Sequence, residues 1–130
     1  MPELTTEQAD ELADQALGLK KAVGEFRNRF FDTLTPEQRE GLRVLASELG
    51  DEVDHLTAMA IKATVAELQQ TLAHLREVTN GVNHAVEHLS EVRKIVTVAA
   101  ALVDLGAALA AANPGSALAA LSDTVTALQA

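Results

Sequence analysis

Three of the four histidines, His74, His84 and His88, fall within one short stretch of the chain. His84 and His88 stand i, i+4, the spacing that turns two imidazoles from one helix face toward a single metal ion. If the chain reverses near residue 81, His74 comes back alongside His88, and Glu77 alongside His84. A surface Zn²⁺ or Ni²⁺ site on His74, His84, His88 and Glu77 is then within reach. His84-Ala85-Val86-Glu87-His88 also spells the H-x-x-E-H pattern of one metallopeptidase class. Hydrolysis at such a site needs a dry cavity and a third protein ligand. Only Glu91, Asp104 and Asp123 follow downstream, and none sits in a ligand motif. The apolar face of 68–96 centres on Leu72, Leu75, Val82, Val86 and Leu89, which turns His84, Glu77 and Glu91 toward solvent. A solvated helix face is therefore the leading reading of these residues, and no cofactor is expected.

Other chemistries find no footing. The chain has no cysteine, so it offers no thiolate nucleophile and no disulfide. Ser47, Ser90, Ser116 and Ser122 lie outside any G-x-S-x-G elbow, and no glycine-rich loop could cradle a phosphate. The net charge of −9 and the absence of Trp and Tyr argue against nucleic acid, which requires a basic stripe and stacking aromatics. A non-enzymatic protein is expected.

These residues must be held by helices. The 130 residues suit one domain, and Ala, Leu and Val supply nearly all the packing material, with Phe26, Phe30 and Phe31 the only aromatics. Thr5 and Gln8 have capping-box spacing, and a 4-3-4-3-4 seam follows through Leu12, Ala16, Leu19, Val23, Phe26 and Phe30 to an end near Leu34. Thr35-Pro36-Glu37-Gln38 opens a second helix, which stops at Gly50. Asp51 is placed to cap a third, with a stripe from Val53 and Leu56 to Leu75. Thr79-Asn80-Gly81 reads as its stop, because one helix from Asp51 straight through to Asn113 would be about 90 Å long at ~1.5 Å per residue. Asn83 then caps a fourth helix over 83–112. Asn113-Pro114-Gly115 is a turn, and Ser116 caps the last helix. The expected fold is all-α: an antiparallel bundle of about five helices, three long and two short, in a single domain spanning 1–130.

The paired starts Leu4-Thr5-Thr6-Glu7-Gln8 and Leu34-Thr35-Pro36-Glu37-Gln38 form the only internal echo. They resemble the paired LTxxQ motifs of the small periplasmic helical chaperones and metal-stress sensors. The chain departs from that family in having no N-terminal signal segment and in its apolar C-terminal third. A generic capping box accounts for the same residues.

Charge divides the chain. All ten basic residues and all but two of the nineteen acids lie in 1–94, and residues 95–130 form an apolar, Ala-rich helical hairpin. Such a segment must be hidden in the fold, against another protein or in a membrane. The leading expectation is a self-association or partner-docking surface on Val96, Leu102, Val103, Leu105, Leu109, Leu118 and Leu121, facing a second copy or another helical protein. An alternative has the hairpin enter a membrane, since an apolar hairpin beside a charged bundle is similar in architecture to the heads of α-helical pore-forming toxins. Asp104 at the centre of the segment costs roughly 2.5–3.5 kcal/mol on insertion and opposes a constitutive span. The acidic, polar start favours a cytoplasmic protein, with membrane association or signal-less export as further options.

Overall fold

The computed structural model describes residues 5–50, 60–111 and 113–129. Among these the chain is all-α. Five helices form in order: α1 (Thr6–Arg29), α2 (Pro36–Gly50), α3 (Val65–His88), α4 (Val92–Ala110) and α5 (Pro114–Gln129). Residues 60–62 are also helical. The expected Asp51 cap and the Val53 and Leu56 positions lie outside the described residues.

Capping chemistry sets the starts. Thr5 Oγ1 accepts from the Gln8 amide at 3.1 Å, while Gln8 Oε1 accepts from the Thr5 amide at 3.0 Å. Thr35 and Gln38 make the same reciprocal pair ahead of Pro36. The LTxxQ echo is thus two helix starts. Thr64 and Glu67 form a third box, at 2.9 and 3.1 Å, which opens α3. The last helix is capped by Asn113, whose Oδ1 accepts from the Ser116 amide, so Ser116 is the capped residue rather than the cap.

The Thr79-Asn80-Gly81 segment does not stop a helix. α3 runs unbroken to His88, and the chain turns instead at residues 89–91. Val78 and Val82 are fully buried on either side and hold the segment in register. Thr79 Oγ1 donates to the Leu75 carbonyl at 2.8 Å, inside the helix. A Cβ placed on Gly81 would come within 2.7 Å of Leu128 Cδ1. This glycine marks a close approach of α5 to α3. The fourth helix accordingly starts at Val92 rather than after Asn83.

The helices form a closed ring in which each packs chiefly on two neighbours: α1 on α2 and α3, α3 on α5, α5 on α4, and α4 on α2. α1–α2 and α4–α5 are hairpins. Along the α2–α4 seam, Gly41 faces Val103 and Leu45 faces Gly106, so both chains advance in the same direction. The ring closes on Leu12, Leu19, Phe26, Leu42, Leu45, Leu75, Leu102 and Leu105, all essentially inaccessible. This core is almost purely aliphatic, and its one aromatic contact is the edge-to-face pair Phe26–Phe30 at 4.9 Å. Outside the core, the α1–α2 turn is fastened by Arg27 Nε, which donates to the Arg39 carbonyl, and by Arg39 Nε, which donates to the Phe31 carbonyl. The Arg39 guanidinium lies 4.2 Å from the Phe31 ring centre, a cation–π contact.

Candidate functional site

The ring settles where the sequence-derived residues go. Leu102, Leu105, Leu109 and Leu121 all point into the bundle core, with at most 1% of their surface accessible. The chain itself therefore hides the main leucines of the apolar third, and these four are not available to a partner. Val96 is 36% exposed. Val103 packs partly buried against the core, and Leu118 is partly buried. No helix among the described residues is long and apolar enough to cross a membrane.

The histidines do not converge. Because α3 is continuous, His74 lies ten residues before His84, about 15 Å along the axis, and about 21 Å before His88. His74 Nδ1 is buried without a hydrogen bond, 3.8 Å from Glu77 Oε1. The expected reversal at residue 81 was the geometric basis for the four-ligand cluster, and it does not occur. Among the described residues no three His, Asp or Glu side chains meet in a metal-holding group. Only His84 and His88 stay together, with ring centres 4.4 Å apart.

A groove of about 680 Å³ lies along the α2–α4 seam. Its floor is Gly41, Gly106, Ala107 and Ala110, and its walls are Val44 and Val103. The sequence builds it by using small residues where the two helices cross. A Cβ on Gly41 would meet Val103 Cγ2 at 2.6 Å, and one on Gly106 would meet Leu45 Cβ at 3.3 Å. α2 and α4 sit close at these points, and the small residues line the groove together with Val44 and Val103. Val44, 39% exposed, stands on its lip. Small residues on α4 are visible in the sequence, but their pairing with Gly41 and Val44 is not, since it needs the non-sequential α2–α4 contact.

The groove's rim is acidic. Glu37 and Glu40 line it from α2, and Asp104 joins Glu37 in the cavity that continues it past Val103. Among the described residues no Lys or Arg lines either. Glu40 forms an ion pair with Arg43, whose hydrogen bond holds the Glu40 carboxyl below the ordinary carboxylate range. Glu37 and Asp104 have no such partner among the described residues.

Two other concavities are more polar. One between α4 and α5, about 500 Å³, holds Asp104 and Asp123 with Thr97 and Ser116. Asp104, the one acidic residue of α4, faces solvent there. The other, about 190 Å³, lies where α3 ends and α4 begins, beside His84, His88 and Lys94. The chain matches no known protein family, and no curated protein or solved structure is similar to it.

Proposed function

We propose that this protein is a non-enzymatic docking module whose α2–α4 groove receives an apolar helix of another protein, flanked by basic residues. The observation that carries this reading is the groove itself: an apolar trough with a glycine and alanine floor and an acidic rim. Small floor residues let a partner helix approach closely, and the exposed Val44 and half-buried Val103 offer it apolar contact. Glu37 and Asp104 then reward cationic flanks. A second copy of this chain is a poorer occupant, because each copy carries a net charge of −9 and would meet the other acid to acid.

The test uses a fluorescent synthetic peptide of Lys, Leu and Ala patterned as an amphipathic helix. It is titrated against the full chain and three variants. Ala107→Arg places a bulky cation on the groove floor. Ala119→Arg makes the same charge change in the α4–α5 concavity, and Glu37→Lys reverses one rim charge. The reading expects saturable binding that Ala107→Arg abolishes, Glu37→Lys weakens and Ala119→Arg leaves nearly unchanged. Equal loss in both arginine variants would reduce the binding to bulk charge and contradict the docking reading. A discrete oligomer of the chain alone, dissolved by Ala107→Arg, would put a second copy in the groove instead.

A further inference from the structure

We propose that His84 and His88 form a two-imidazole chelate for a divalent transition-metal ion of the Ni²⁺, Cu²⁺ or Zn²⁺ class, independent of the α2–α4 groove. The two side chains are one helical turn apart on α3, with ring centres 4.4 Å apart and planes inclined at 44°. The i, i+4 spacing is the one by which a single helix presents two imidazoles to one ion, and imidazole suits these borderline metals. Both side chains are exposed, and among the described residues neither ring is engaged in a hydrogen bond. Glu87 Oε2 lies 3.8 Å from His88 Nε2. The site is set for a cation: His88 occupies the last turn of α3, where unpaired carbonyls carry negative partial charge.

The adjoining cavity of about 190 Å³ leaves room for the waters that a two-ligand ion retains. Lys94 of α4 lines that cavity and is the opposing charge, while α5 contributes only Ala127 and Leu128 to it. The continuous helix removes His74 and Glu77 from the site. It also predicts what binding does: the ion bridges two successive turns of α3 next to the 89–91 link, and so tightens the end of that helix.

The experiment is a calorimetric titration of the untagged full chain with Ni²⁺, paired with thermal unfolding with and without the ion. The variants are His84→Ala, His88→Ala and His74→Ala. The proposal expects one ion per chain, a rise in unfolding temperature with Ni²⁺, and loss of both effects in either His84→Ala or His88→Ala. His74→Ala keeps both. The substituted side chains at 84 and 88 are exposed, so unchanged circular dichroism is expected in the absence of metal. No heat up to millimolar Ni²⁺ would overturn the proposal. So would binding that survives either single removal, or binding that depends on His74.

Discussion

Replacing Gly41 by alanine sets two known effects against each other, and the structure says which wins. In a free helix the change gains about 1 kcal/mol of propensity. In this ring the new methyl would stand 2.6 and 3.0 Å from the two Cγ atoms of Val103 and 3.3 Å from its Cβ. Valine in a helix has one strongly preferred rotamer, so Val103 cannot swing clear, and α2 and α4 must part instead. Overpacking of this kind costs about 1–3 kcal/mol. The net expectation is a loss of roughly 0–2 kcal/mol, or up to about 8 °C in unfolding temperature for a chain of this size. Gly81→Ala is the internal control. Its nearest obstacle is Leu128 Cδ1 at 2.7 Å, the far end of a flexible side chain, with Leu128 Cβ and Cγ at 3.3 Å, where a shift of a few tenths of an ångström suffices. Leu128 can move, and the propensity gain should leave that variant at or above the parent's stability. Thermal and urea unfolding of the two variants provide the assay. Gly41→Ala at least as stable as Gly81→Ala would refute the claim that α2 and α4 meet at a steric limit, and with it the origin of the groove.

Other expectations follow from individual contacts. Thr64→Ala removes the hydroxyl that accepts from the Glu67 amide and should cost about 1 kcal/mol in urea unfolding. Leu102→Ala should cost about 2–5 kcal/mol, because that leucine is fully enclosed by the ring. Loss near zero would mean that Leu102 faces outward. Glu40 should titrate below the ordinary carboxylate range by NMR, because Arg43 donates hydrogen bonds to the ionised form. Since folding depresses this group, its contribution to stability is present above the unfolded carboxyl value and is lost as pH falls through the folded one. Arg43→Ala should return Glu40 to the ordinary range.

Local chemistry was the legible part of this fold. The Thr5–Gln8 and Thr35–Gln38 boxes, the seam from Leu12 to Phe30 and the helical class all follow from side chains that act on their own neighbourhood. What the sequence hid was long-range packing. Gly81 has the letters of a stop and the role of a contact, because Leu128 crosses above it. Propensity cannot tell those apart without knowing that α5 packs on α3. The same error carried into the histidines, since the proposed reversal was all that joined His74 to His88. The apolar surplus of residues 95–130 was visible, but its destination was not. The ring buries Leu102, Leu105, Leu109 and Leu121 by placing α4 between α2 and α5, a neighbour order that chain order does not suggest. Only Val96, Val103 and Leu118 of the expected surface remain near the outside.

The most direct test of the docking account is a residue-resolved NMR map of the full chain titrated with the basic amphipathic peptide. The account predicts shifts concentrated at the amides and methyls of Val44, Val103, Ala107 and Ala110, with the carboxylates of Glu37 and Asp104 responding at the rim. Shifts centred on the α4–α5 concavity or the His84–His88 end, or spread over the acidic surface without a focus, would contradict it.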